Sequence, residues 1–305
     1  MNFADRLDAA LERVRTPALV GIDPHLDLLP APFAVARDAR ASRSERAAAL
    51  EAFARELVGL VAGRVAAVKP QSAFFELLGA DGVAAWERVV AHAHACGLIV
   101  IGDVKRSDIA STAAAYAGAF LEGLPGGERD SLCDAITLNP YLGSDSLLPF
   151  LDACERTDAG LFVLVRTSNE GGAEFQNHGE PPLCERVADA VAALGARLVG
   201  RSGLSSLGAV VGATQREELA RLRARMPRAI LLLPGYGAQG ATARDVRAAF
   251  PDRARPWRGA LVNSSRGVAF AWREKRHAGR DWKDAASAAL DEMIAELGAA
   301  LAAVE

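Results

Sequence analysis

The segment IVIGDVKRSDIAST (residues 99–112) joins an apolar strand pattern to a run of charge. Ile99, Ile101, Asp103 and Lys105 are two residues apart, so they project from one side of an extended chain. A carboxylate and an ammonium on such a face can stabilise charge that develops in a bound molecule, and the amine can deliver a proton. Asp108 adds a further carboxylate just past the strand end. Amines are scarce in this chain: of 35 basic residues only Lys69, Lys105, Lys275 and Lys283 are lysine, against 31 arginines. Arginine therefore supplies the ordinary surface charge, while an amine is kept where a group able to give up its proton is needed. An exposed Asp-x-Lys pair is worth under about 1 kcal/mol. The residues preceding this one are apolar on both faces, which does not suit a surface strand.

The elements that must position these groups follow an alternating pattern. Runs rich in β-formers at 18–23, 65–69, 98–105, 134–139, 161–169, 207–214, 229–234 and 259–266 alternate with helical stretches. The latter fall near 43–62, 81–96, 109–121, 144–156, 183–194, 215–225, 241–249 and 281–303. Eight continuous apolar strands, each followed by a helix, predict an α/β protein with a parallel sheet closed into a single (β/α)8 TIM barrel. One domain over residues 1–305 is expected, with an amphipathic N-terminal helix and a helical C-terminal end. The fingerprints of an open doubly wound nucleotide fold are missing: no G-x-G-x-x-G follows the first strand and no G-x-x-x-x-G-K-[ST] occurs.

Most strand runs end in a polar residue: Asp23, Lys69, Asp103 with Lys105, Asn139, Thr167–Ser168–Asn169, and Ser264–Ser265–Arg266. In a (β/α)8 barrel these positions meet at the C-terminal mouth, where the fold places active sites. Asp23, Lys69, Asp103 and Lys105 alternate in sign, so each lysine is held between carboxylates and the network tolerates partial desolvation. The Gly-rich LLLPGYGAQGAT (231–242) follows strand seven and NSSRG (263–267) follows strand eight. Those loops are the usual phosphate site of the fold, where Gln239 adds an amide and Arg266 a bidentate charge contact.

A formal net charge of −3 gives no electrostatic footprint for nucleic acid or an anionic membrane. No apolar stretch reaches the roughly 18 residues that cross a bilayer, and the start lacks a signal peptide's apolar centre, so a cytoplasmic location is expected. The four cysteines form no C-x-x-C pair and read as small buried hydrophobes. His92 and Cys96 stand one helical turn apart, a possible metal pair, but at the rim away from the strand ends; His25, beside Asp23, could face the mouth. Neither an H-E-x-x-H nor a G-x-S-x-G nor a carboxylate cluster suited to Mg²⁺ occurs, and no cofactor is expected.

Taken together, DVKRSDIAST resembles the D-x-K-x-x-D-I-x-x-T signature of orotidine 5′-monophosphate decarboxylases. VGIDP, VKPQSAFFE, LNPYLGSDSL, PGYGAQG and NSSRG are similar to the family's flanking motifs, most closely those of its longer bacterial branch, from about residue 18 to 270. The resemblance implies cofactor-free decarboxylation of orotidine 5′-monophosphate to uridine 5′-monophosphate, the last step of de novo pyrimidine synthesis, by a homodimer. It implies that Asp23 binds the ribose, Lys69 bridges ribose and charge network, Asp103 lies against the substrate carboxylate, and Lys105 protonates C6. Asp108 would cross a dimer interface into the partner's site, with Thr112 nearby. Ser168 would contact the pyrimidine, and Gln239 and Arg266 would grip the phosphate. The sequence departs from the shorter branch around RTSNEGG and in a longer loop after strand one. Two other readings use the same residues: a Mg²⁺-dependent sugar-phosphate decarboxylase or synthase, for which Glu76 is the candidate extra acid, and a non-catalytic nucleotide-binding protein.

Overall fold

The structure, a computed structural model, describes residues 1–127, 129–212, 216–236 and 242–302. Eight strands, β1 (Ala18–Ile22), β2 (Ala67–Pro70), β3 (Ile99–Arg106), β4 (Ala135–Leu138), β5 (Gly160–Arg166), β6 (Ser205–Val211), β7 (Ala229–Leu233) and β8 (Ala260–Ser264), close into a barrel in chain order. Every neighbouring pair is parallel, including β1 with β8. The strand expectations hold to within three residues at each end.

Alternation along each strand sorts residues between two cores. One side faces the surrounding helices in a large apolar layer that includes Val20, Val68, Val100, Ile136 and Val163. The other side fills the barrel with Leu19, Ala67, Ile99, Ile101, Ala135, Phe162, Ile230, Leu232 and Leu261. Helix α1 (Phe3–Val14) closes the bottom of that interior by adding Phe3, Leu7 and Leu11 to it. Phe3 meets the edge of Phe162 at a centroid distance of 5.9 Å. A Cβ on Gly160 would fall 2.3 Å from the Phe3 ring, so the first residue of β5 must be glycine for the helix to seat.

The segment expected to be helical at 241–249 differs. Thr242 donates through its amide and hydroxyl to Asp245, and only a 3-10 turn, Asp245–Ala249, follows before Pro251. A threonine turn at one end and a proline at the other leave too little chain for two α-helical turns.

Candidate active site

Continued toward the mouth, the interior rows change from apolar to polar. Asp23, Lys69, Asp103, Lys105, Thr137, Ser168, Asn263 and Arg266 all line one cavity of about 300 Å³ at the C-terminal ends of the strands. That volume is at the lower end for small-molecule sites. Gly21 of β1 leaves room for Ser265 and Asn263 at the mouth, since a Cβ there would sit 1.9 Å from Ser265 Oγ.

The charged centre is a single carboxylate shared by two amines. Lys69 Nζ donates to Asp103 Oδ2 at 2.6 Å, and Lys105 Nζ donates to Asp103 Oδ1 at 2.5 Å. Lys69 and Asp103 are buried, whereas the Lys105 side chain is 46% exposed into the cavity. Burial alone would raise the Asp103 pKa, but the ammoniums of Lys69 and Lys105 outweigh it and hold the carboxyl well below the usual range. Burial would likewise lower Lys69, and the carboxylates of Asp103 and Asp23 outweigh it and push the ammonium above its ordinary value. In the centre each oxygen of Asp103 accepts from one lysine, and the Lys105 side chain is open to the cavity.

Two buried oxygens around it have no partner among the described residues: Asp23 Oδ1 and Asn263 Oδ1. An unpaired acceptor inside a cavity is a ready position for a ligand hydroxyl or N–H. Across the barrel, Pro234, Gly235 and Tyr236 after β7 and Ser265 and Arg266 after β8 line the far wall. Tyr236 is fixed from behind by its hydroxyl, which donates to Glu296 Oε2 at 2.5 Å. Gln239 lies outside the described residues. On the third side the residue after β6, Gly212, packs against the Ser168 backbone, where a Cβ would be only 3.1 Å away. Gln176 Oε1 accepts the Thr167 amide at 2.9 Å, and the Gln176 amide donates to Thr167 Oγ1 at 2.8 Å.

Other expectations resolve differently. Asn139 is exposed, caps a turn by accepting the Tyr141 amide, and lines a neighbouring groove of about 700 Å³ that shares Leu164 and Thr167 with the cavity. His25 packs against Phe74 with the rings tilted at 59° and their centroids 4.3 Å apart, and burial holds it below its ordinary pKa; it does not line the cavity. Asp108 and Thr112 do not line their own chain's cavity; the Asp108 carboxylate accepts the Ile109 amide at 2.8 Å, and Thr112 is exposed. Glu76 pairs with Arg106 outside the cavity. His92 lies 3.7 Å from Cys96, and among the described residues no group of three or more His, Cys, Asp or Glu side chains is placed to hold a metal.

Thr137 and Asn263 are the site residues that residue type did not single out. The signal for both was periodicity: each follows an interior residue, Ala135 or Leu261, by two positions.

Comparison with known proteins agrees with this geometry. Residues 32–281 match the model of the orotidine 5′-phosphate decarboxylase / HUMPS family. An orotidine 5′-phosphate decarboxylase from Rhodopirellula baltica is 45% identical over 97% of this chain and 99% of its own length. One from Deinococcus radiodurans is 42% identical over 97% and 98%. The structure of Leishmania donovani OMP decarboxylase superposes with a TM-score of 0.75 at 33% identity, covering 99% of this chain and all of that one. A closed parallel barrel, a carboxylate shared by two lysines at its mouth and this degree of likeness make the chain a member of the orotidine 5′-phosphate decarboxylase / HUMPS family.

Proposed function

We propose that the protein converts orotidine 5′-monophosphate to uridine 5′-monophosphate and CO₂ without a cofactor, in the cytoplasm, as a homodimer of single-domain barrels. The observation that carries this reading is the Asp103 carboxylate divided between Lys69 and Lys105, with the Lys105 ammonium exposed to the cavity. When the bond from C6 to the carboxylate breaks, its electron pair stays on C6 in an sp² orbital that the pyrimidine ring cannot delocalise. A fixed cation beside that orbital stabilises the developing charge, and a proton from Lys105 Nζ completes the new C6–H bond as CO₂ leaves. The exposed amine then regains its proton from solvent. Asp103 faces the departing carboxylate, and the repulsion between the two anions is relieved as CO₂ forms.

Remote groups bind the rest of the substrate. Asp23, with its unpaired oxygen, accepts from a ribose hydroxyl, and Lys69 links the ribose to the charge array. Ser168 contacts the pyrimidine, and Arg266 with Gln239 holds the phosphate. The homodimer reading is supported by Asp108, half-buried past the end of β3 beside exposed Ile109, with exposed Tyr141 and Leu142 on the next loop. Asp108, with Thr112 near it, completes the partner's site in this arrangement.

The test is the absorbance change of orotidine 5′-monophosphate with purified protein, with and without EDTA. Turnover that survives EDTA and disappears in Lys105→Ala, while uridine 5′-monophosphate still binds, is the expected result. Absence of turnover, or turnover of a sugar phosphate only with Mg²⁺, overturns the proposal.

A further inference from the structure

The β3–β4 ladder is irregular where it matters most. Gly102 pairs with Ile136, and the next pair is Arg106 with Leu138. Three residues of β3, Asp103, Val104 and Lys105, therefore stand against one residue of β4, Thr137. The bulge leaves two β3 amides without a regular carbonyl partner, and both turn to the same atom: Val104 N and Lys105 N each donate to Thr137 Oγ1 at 3.0 Å. Lys105 has φ 45°, a left-handed backbone that a non-glycine residue seldom adopts, and this hydrogen bond is made by its own amide. Thr137 is 1% exposed.

The hydroxyl's orientation follows from counting. A hydroxyl has two lone pairs and one proton. Both lone pairs are filled by amides, which cannot accept, so the proton points to the remaining neighbour, Asp103 Oδ1, at 2.9 Å. That oxygen is also the one that accepts from Lys105 Nζ, while Oδ2 is left for Lys69. One side chain thus touches the backbone that turns Lys105 inward and the carboxylate oxygen that receives its ammonium.

We propose that Thr137 is the positioning residue of this site. Its hydroxyl holds the β3 bulge that turns Lys105 into the cavity, and it fixes the rotation of Asp103 so that one oxygen serves each lysine. The assignment rests on the decarboxylase reading above, in which Lys105 is the proton donor. Of the groups proposed to bind ribose and phosphate, all but Lys69 stand on β1 or on the loops after β7 and β8, away from the bulge. Lys69 meets Asp103 through Oδ2 rather than the Oδ1 that Thr137 touches. Loss of the hydroxyl should therefore leave ground-state binding alone and act on the chemical step.

Thr137→Val keeps the side-chain shape and removes all three hydrogen bonds; Thr137→Ser keeps the hydroxyl. The expected outcome is a fall in kcat of about 100-fold for the valine variant, unchanged KM and unchanged affinity for uridine 5′-monophosphate, and a serine variant close to wild type. Wild-type kcat in Thr137→Val, a joint loss of kcat and nucleotide binding, or a serine variant as slow as the valine one overturns the assignment. If the valine variant does not fold, Thr137→Cys takes its place, since a thiol weakens the bonds without removing them; reduced kcat at constant KM supports the role and unchanged kcat refutes it. Wild-type protein run alongside separates the two ideas. An inactive wild type overturns the decarboxylase reading and the assignment with it, whereas an active wild type with an equally active Thr137→Val overturns the assignment alone.

Discussion

Lys69 is the residue whose environment says most about the site. It is buried, yet its ammonium is held above the ordinary 10.5, and Asp103 is held below the ordinary 3.8 by the same contact. A raised lysine contributes stability at pH values below its unfolded pKa and loses it as pH climbs through the folded one. A depressed carboxylate contributes above its unfolded pKa and loses it as pH falls through the folded one. The pair therefore stabilises the fold fully between about pH 5 and 10. Lys69→Met should lower unfolding free energy by about 3–5 kcal/mol in that window, because it leaves a buried carboxylate short of a counter-charge. Chemical denaturation at pH 7 and below pH 4 checks it: the deficit should narrow in acid, where Asp103 can take up a proton. Arg266 predicts a different signature. Arg266→Ala should lower kcat/KM by about 10- to 100-fold, on the scale of a charge-assisted hydrogen bond, and leave melting unchanged, as steady-state kinetics and calorimetry will show. Asp103 and Lys105 were legible in the sequence because an apolar strand ending in charge is unusual. The inward position of Thr137 could be read from alternation after Ala135, but its role could not, since that comes from a bulge that alternation does not reveal.

Among the elements, β3 and β4 carry more than their share. At the mouth they hold Asp103, Lys105 and Thr137; at the opposite end they hold the N-terminal helix. Asp134, just before β4, accepts from Arg6 of α1 at 2.7 Å, from the Val100 amide of β3 at 2.9 Å and from His94 Nε2 at 3.0 Å. His94 Nδ1 meets the Asp130 carbonyl at 2.9 Å, so both ring nitrogens face acceptors. Burial would lower the His94 pKa, but Asp134 and the Asp130 carbonyl outweigh it and raise it above 6.5. Its contribution is fully present below pH 6.5 and fades as pH rises through the higher folded value. His94→Gln should cost about 1.5–3 kcal/mol at pH 6 and less at pH 9, readable as a melting-temperature gap that closes with pH. Strand positions were legible because apolar runs of five to eight residues bounded by Gly, Pro and polar residues leave few alternatives. The 241–249 helix was misjudged because its composition suits a helix while its ends do not allow one.

At the scale of the whole molecule, one chain offers a cavity that Asp108, just past the end of β3, does not line. If two chains complete each other, mixing inactive Lys105→Ala with inactive Asp108→Ala should recover activity that neither has alone, because a hybrid dimer then holds one intact site. Recovery on mixing, followed by turnover assay, supports that arrangement; two variants that stay inactive together count against it. Only the family resemblance pointed to this arrangement, since a partner's contribution leaves no periodicity in the chain that receives it. The helix that stoppers the barrel floor carries one more consequence. The Ala4 amide donates to Ser206 Oγ, 202 residues later, and Phe3 packs on Phe162. During synthesis α1 is therefore complete long before its partners leave the ribosome, and Phe3, Leu7 and Leu11 remain without their burial site until β5 and β6 emerge. The nascent protein must carry an amphipathic helix with its apolar face uncovered through most of its own translation.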